Sequence, residues 1–366
     1  MKLLKGDTSL RAIHAYHKLE TSWEEILSGS INTTQALSTY FEIDESEILK
    51  VTSSYPMLIN PYYLMLIKEK GDAIYNQAVP DLREVTQEDG FLDPLNEEEL
   101  SPFPGLTHKY PDRVLFLVSG RCAMYCRFCN RKRKVGRSAL VTEESIREGL
   151  SYIRATKEIR DVLLSGGDPL LLSDRELFNI LSELRAIPHV EIIRIGSRIP
   201  CSLPQRITSE LADMLKGFHP LYINTHFNHP AEITPQAARA CSLLANAGIP
   251  LGCQTVLLKG VNDDLIVMGD LMRKLLKIRV KPYYLFQADL VKGASHFWTS
   301  LNKGLDIMTG LQGYISGPAV PRFMIDLPHG GGKIPVIPEY IQEMKGDEIV
   351  IKNYLGKEYR YPLFKD

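Results

Sequence analysis

Three cysteines, Cys122, Cys126 and Cys129, stand within eight positions in the stretch RCAMYCRFCNRKRK, and four consecutive cations, Arg131 to Lys134, follow them. A closed structural zinc site takes four ligands, commonly two pairs of Cys or His. Here the spacing is C-x3-C-x2-C, and no second pair of cysteines exists in the chain. Three thiolates on a cubane iron-sulfur cluster would leave one iron without a protein ligand, a corner open to a small molecule. A shared or trinuclear zinc site is the other metal reading of these residues. Beside a cluster, Arg127, Arg131, Lys132, Arg133 and Lys134 would lower thiolate pKa values and offset negative charge. Taken alone, the run is a solvated or anion-binding face.

Two glycine-rich stretches also invite chemistry. SGGDP at 165–169 is compatible with an ordinary turn when met alone. DLPHGGGKIP ends a glycine run in Lys333, the outline of a phosphate-binding loop, but Leu327 stands where the first glycine should be and Ile334 replaces the magnesium-binding Ser/Thr. His226 and His229 in HFNH have no further ligands beside them, which points to cofactor contact or local hydrogen bonding, not to a metal. The remaining cysteines, Cys201, Cys241 and Cys253, lie singly in apolar or small-residue contexts and read as core residues.

These residues need a scaffold, and the pattern supplies one. β-rich runs begin near 160, 190, 220, 249 and 279, and RVLFLVSG precedes the cysteines as an earlier strand. A spacing of roughly 30 residues is a strand plus its crossover helix. Between the strands lie helices with start signals: Ser173 with Glu176 forms a capping box, and Thr234-Pro235 opens a helix that ends at Gly248. Six strands each followed by a helix imply a parallel α/β architecture, either an open doubly wound sheet or a barrel. SGRCAMYC, SGGDP, GSRIP, THFNHP and QADLVKG each follow a strand's apolar run, where both architectures put their site. The first hundred residues read as a helical extension, and the tail contains a short β-like stretch, DEIVIKNYLGKEYRYPL.

Composition sets the outer bounds. The 366-residue chain is 44% hydrophobic and 24% charged, an ordinary globular balance. Its formal net charge of -1 provides no global field for nucleic acid or an anionic membrane. The longest apolar runs, such as VLFLV, are far short of the roughly 20 residues that span a bilayer, and the first twenty residues lack a signal-peptide core, so a cytoplasmic location is expected.

C-x3-C-x2-C with Phe128 before the last cysteine resembles the signature of the radical S-adenosylmethionine enzymes, whose open iron is chelated by the amino and carboxylate groups of the cofactor's methionine end. From INPYY at 59 to IKNYLG near 356 the chain resembles the lysine 2,3-aminomutases, notably in PGLTHKYPDR, DVLLSGGDPLLLSD, IPHVEIIRIGSR, NTHFNHP, VNDD and KPYYLFQADLVKGASHF. That resemblance implies a partial (β/α)6 TIM-like barrel at 101–320, a helical extension at 1–100 and a C-terminal segment at 321–366 bearing Lys333. It implies a [4Fe-4S] cluster on Cys122, Cys126 and Cys129, with S-adenosylmethionine contacted by Phe128, Gly166, Gly167, Asp168, Ser197, His226 and Gln254. Gly166 and Gly167 would admit the cofactor's methionine end and Asp168 would accept from its ammonium. Lys333 would hold pyridoxal phosphate as a Schiff base, with Lys109, Tyr110 and Arg113 around the cofactor. Arg131 would bind the substrate carboxylate, while Asp289 and Asp326 would hold the distal ammonium of lysine, since a desolvated ammonium needs compensating charge and a glutamate side chain would be repelled.

The implied activity is conversion of L-lysine to β-lysine, with hydrogen abstraction at the β-carbon and migration of the 2-amino nitrogen. An external one-electron reductant such as flavodoxin or ferredoxin and a homo-oligomeric state come with it. No zinc is expected: many relatives share an intersubunit zinc between a C-terminal cysteine-rich tail and a cysteine after VND, whereas this chain has Asp264 there and ends at Asp366 without such a tail. An aminomutase for arginine or another basic amino acid is the nearest alternative, because two carboxylates also fit a guanidinium. A non-enzymatic iron-sulfur or zinc protein that binds nucleic acid through the basic loop is the alternative from another class.

Overall fold

Period-two burial decides the architecture. The computed structural model describes residues 22–136 and 141–363, so the reading of the first twenty residues, and the outermost ends of the N- and C-terminal segments, lie outside the described residues. A nine-stranded sheet runs in chain order: β1 (Leu106–Tyr110), β2 (Arg113–Ser119), β3 (Asp161–Gly166), β4 (Ile192–Gly196), β5 (Leu221–Thr225), β6 (Leu251–Leu257), β7 (Lys281–Gln287), β8 (Arg322–Leu327) and β9 (Gly332–Pro335). Neighbours from β2 to β8 pair in parallel, and β1 and β9 pair antiparallel at the two edges. A strand order that never reverses has no topological switch point, which separates this barrel-type winding from the doubly wound alternative. The edges stay unpaired with each other, so the barrel is partial.

The six strands expected from sequence are β2 to β7, and a helix follows each: Glu143–Ala155, Asp174–Arg185, Ser209–Lys216, Pro235–Asn246, Leu265–Lys277 and Leu301–Leu311. β8 extends the parallel run by one strand from the C-terminal segment. Along β6, Leu251, Cys253, Thr255 and Leu257 are buried, while Gln254 and Val256 between them line an inner cavity. β3 behaves alike: Val162 and Leu164 are buried, and Asp161, Leu163 and Ser165 face the cavity. In these two strands alternation gives one wall to the core and one to the site.

The helices obey their local signals. Ser173 and Glu176 form the expected capping box, and Leu177, Ile180, Leu181 and Leu184 form the buried stripe. Thr234 caps the helix begun by Pro235, and Gly248 beyond its end takes a left-handed φ of 79°. Cys201, Cys241 and Cys253 are fully buried.

Among the described residues the N-terminal segment shows six short helices, Trp23–Ser28, Thr34–Ser38, Glu45–Ser54, Pro61–Leu64, Ala73–Ala78 and Arg83–Thr86. It docks on the cysteine loop through main-chain bonds, Tyr125 N to Leu58 O at 2.9 Å and Arg127 N to Gln77 O at 2.9 Å. Buried Asn60 adds Nδ2 bonds to Ala123 O and Ser202 O at 3.0 and 2.9 Å. β10 (Ile341–Lys345), β11 (Glu348–Lys352) and β12 (Glu358–Pro362) form a separate antiparallel sheet.

Candidate active site

A cavity of about 730 Å³ fills the barrel mouth, lined by inward residues of β1 to β9 and by the loops that follow their C-terminal ends. All three clustered cysteines, Lys333, Asp289, Asp326 and Arg131 share this one wall-to-wall space. Cysteines 122, 126 and 129 reach it because β2 ends at Ser119 and the chain turns at once over the barrel mouth. Burial pushes the Cys122 thiol up, with Cys129 and Asp168 adding to the shift, and burial raises Cys129 to about 11.

Arg131 and Lys132 act on these thiols in the expected downward direction, but burial outweighs them. The cations of the basic run are already spoken for by carboxylates of the N-terminal segment. Glu84, fully buried, takes Arg127 at 2.6 Å and Lys132 at 2.7 Å. Glu97 takes Arg131 at 2.6 Å, Asp93 takes Arg133 at 2.8 Å, and Glu98 takes Arg133 and Lys134 at 3.1 and 3.6 Å. The cation that touches the cysteines is Arg198, absent from the sequence reading, whose Nη1 donates to Cys126 Sγ at 2.7 Å.

The SGGDP turn acts on the protein's own backbone. Gly167 N donates to Ser119 O and Asp168 N to Arg121 O, each at 2.6 Å. A Cβ at Gly166, where φ is +132°, would lie 2.1 Å from Ser119 O, and one at Gly167 would lie 2.2 Å from Arg121 O. The glycines therefore let the end of β3 clamp the root of the cysteine loop. Asp168 is buried, accepting from Ser197 Oγ at 2.7 Å, Arg198 N at 2.8 Å and Leu170 N at 3.1 Å. Burial nevertheless raises it to about 6. Phe128 packs edge-on to His226 at 5.6 Å, and His226, lowered to about 3 chiefly by burial, meets Asn228 Oδ1 at 3.0 Å. His229 accepts from Ala231 N in a local cap. Gln254 lines the cavity from β6.

At the other end, the antiparallel register of β8 and β9 sets Asp326 opposite Lys333. Lys333 Nζ lies 2.5 Å from Asp326 Oδ2, and Lys109 Nζ lies 3.0 Å from Asp326 Oδ1. Tyr110 accepts from Lys333 N at 3.0 Å, with the Arg113 guanidinium stacked 3.9 Å from its ring centroid. Asp289 accepts from Asn130 Nδ2 at 2.8 Å; burial and then the charge of Asp326 raise it to about 6. Arg131 is gripped by Glu97 through Nε and Nη2, and its Nη1 reaches Ser165 Oγ at 3.2 Å. Asp326 and Arg131, expected to await substrate, are thus paired internally.

The donor sets suit the implied groups. No three His, Cys, Asp or Glu side chains among the described residues close on a single ion, and a cubane does not require it, since each thiolate takes its own iron. Lys333 with Lys109, Tyr110 and Arg113 offers an amine and cations for an aldehyde phosphate. Four buried polar atoms of cavity-lining residues, Asn224 Nδ2, Thr225 Oγ1, Gln287 Oε1 and Arg198 Nε, find no partner among the described residues and remain for a ligand. Arg198, Glu97, Glu84 and Asn130 went unread in the sequence; Arg198 sits in GSRIP, a strand-end stretch that could have flagged it.

The profile of the Radical SAM superfamily matches residues 116–270, and that of Lysine-2,3-aminomutase matches residues 308–365. The chain is 49% identical to the L-lysine 2,3-aminomutase of Fusobacterium nucleatum, over 91% of this chain and 80% of that protein. It is 52% identical to the L-lysine 2,3-aminomutase of Methanococcus maripaludis, over 90% and 78%. A glutamate 2,3-aminomutase of Clostridioides difficile is 46% identical over 90% and 80%.

Proposed function

The chain belongs to the lysine 2,3-aminomutase family of the radical S-adenosylmethionine superfamily, and from that membership we propose that it converts L-lysine to β-lysine. One observation carries the reading: a single cavity is lined by three cysteines, by Lys333 with its neighbouring cations, and by the carboxylates of Asp289 and Asp326. A cluster with S-adenosylmethionine supplies homolytic hydrogen abstraction, and pyridoxal phosphate supplies the carbonyl that carries the migrating nitrogen.

In this reading Cys122, Cys126 and Cys129 hold the cluster, and Phe128, Ser197, His226 and Gln254 line the space for S-adenosylmethionine. Gly166, Gly167 and Asp168 build the floor beneath it. Lys333 holds pyridoxal phosphate, with Lys109, Tyr110 and Arg113 around the phosphate. Arg131 offers substrate the guanidinium edge that Glu97 leaves open. Asp289 and Asp326 receive the distal ammonium, which replaces a lysine at Asp326 as one cation for another, with no net change in buried charge. Since a glutamate mutase is nearly as similar overall as the lysine enzymes, this acidic pair is what argues for lysine.

The chain divides, in our reading, into an extension to about 100, the barrel to about 320 and a last segment that brings Asp326 and Lys333 on β8 and β9. We further propose a cytoplasmic homo-oligomer without a zinc bridge, reduced by an external one-electron donor of the flavodoxin or ferredoxin kind. Among the described residues no helix is long and apolar enough to cross a membrane, and Asp264 caps the helix Leu265–Lys277 through Ile266 N and Val267 N. The test is anaerobic reconstitution with cluster, S-adenosylmethionine, pyridoxal phosphate and reductant, followed by turnover of lysine, arginine and glutamate. β-Lysine formation is expected. Turnover of glutamate alone would refute the roles of Asp289 and Asp326.

A further inference from the structure

Arg198, buried at the cavity wall, is fixed from several sides. Its Nη1 donates to Cys126 Sγ at 2.7 Å, while Nη2 is anchored on Gln77 Oε1 at 2.7 Å, Glu232 Oε1 at 2.8 Å and Tyr63 Oη at 3.3 Å. The guanidinium carbon lies 5.2 Å from the Phe128 ring centroid. Glu232 is fully buried and is itself fixed by Tyr63 Oη at 2.6 Å and by the amides of Asn228 and His229 at 2.6 and 3.0 Å. The guanidinium cannot turn away from the sulfur without breaking these contacts. Among the described residues no other cationic side chain of this region shows a hydrogen bond to a cysteine sulfur, Arg131 meeting Cys129 only through its backbone; the side chains of Arg127, Arg131 and Lys132 end on Glu84 and Glu97.

We infer that Arg198 is a positioning residue that sets the reduction potential of the cluster, with Glu232 trimming the positive charge it delivers. The inference rests on the reading that Cys122, Cys126 and Cys129 hold that cluster. Reduction moves one electron from a low-potential one-electron donor onto the iron, so the donor is oxidised by one and the cluster gains one negative charge with no proton transferred. A hydrogen bond and a cation on a ligand sulfur stabilise the more negative state, and both act strongly in a buried, low-dielectric setting. Glu232 opposes them from 2.8 Å behind the guanidinium.

The two residues therefore make predictions of opposite sign. Holoprotein is reconstituted anaerobically as wild type, Arg198→Gln, Arg198→Lys and Glu232→Gln, iron and sulfide are counted, and the cluster is titrated reductively by electron paramagnetic resonance. Arg198→Gln is expected to weaken reduction at least tenfold, about 59 mV downward for one electron. Arg198→Lys falls less, and Glu232→Gln shifts upward. Shifts below threefold, or shifts in the same direction for Arg198→Gln and Glu232→Gln, overturn the inference. If Arg198→Gln takes up no iron, the signs for Arg198→Lys and Glu232→Gln decide it. A wild type that binds no cluster overturns the cysteine reading itself; a wild type with a normal cluster and unmoved variants overturns only the role of Arg198.

Discussion

Asp289 should weaken the substrate-free protein. Its carboxyl is held at about 6 against an ordinary 3.8, first by burial and then by Asp326, with the Asn130 hydrogen bond and Lys333 acting the other way. A raised acid carries no penalty below its unfolded pKa; the penalty grows as pH climbs from that value to the folded one and is complete above it. The difference of about two units sets an upper bound of roughly 3 kcal/mol at pH 7.5, and solvent reaching this half-buried residue through the cavity lowers it. Asp289→Asn keeps a carbonyl to accept from Asn130 and removes the charge. It should therefore stabilise the substrate-free protein by up to about 3 kcal/mol at pH 7.5, roughly 4 °C in melting temperature for a chain of this size.

The gain should shrink below pH 6 and vanish near pH 4. Thermal unfolding of both proteins at pH 4, 6 and 7.5 measures it, and saturating lysine should then stabilise the wild type alone, because the incoming ammonium supplies the missing countercharge. A destabilised Asp289→Asn protein at pH 7.5, or a difference that ignores pH, would refute the reasoning.

Other outcomes follow from the same contacts. Glu84→Gln strands two buried cations, Arg127 and Lys132, and should cost about 3–5 kcal/mol by denaturant unfolding. Gly167→Ala drives a Cβ into Arg121 O at 2.2 Å and should lower the iron content of reconstituted protein, whereas Gly71→Ala, with open space around it but a φ of +85°, should cost only local strain of about 1 kcal/mol. Lys333→Ala should abolish the visible absorbance of bound pyridoxal phosphate while leaving the iron content intact. The acid limb of kcat/KM for lysine should fall near pH 6, where Asp289 becomes protonated, and Asp326→Asn should move that limb to lower pH because it removes the repulsion of the neighbouring carboxylate.

Much of the site was legible because it is local. The thiol spacing needs only one loop, the Ser173–Glu176 cap only one helix turn, and the alternation in β3 and β6 only one strand each. Asp326 and Lys333 are seven residues apart and meet through one antiparallel pairing. What was illegible lies across long separations. Glu84 and Glu97 come from a segment that looked like a plain helical extension, yet they neutralise Arg127, Lys132 and Arg131. SGGDP looked like a seat for a cofactor and proves also to be a backbone clamp on the cysteine loop.

By itself the sequence determined the thiol spacing, the strand and helix rhythm, and the family, because each is written in residue types at short fixed spacings. Only the tertiary structure decided which charges survive. Winding seven parallel strands brings Arg198 to Cys126 and Glu232 to Arg198, and it leaves Asp289 beside Asp326. Burial and charge pairing act through distance in space, and the chain carries no local mark of the partner that folding will deliver.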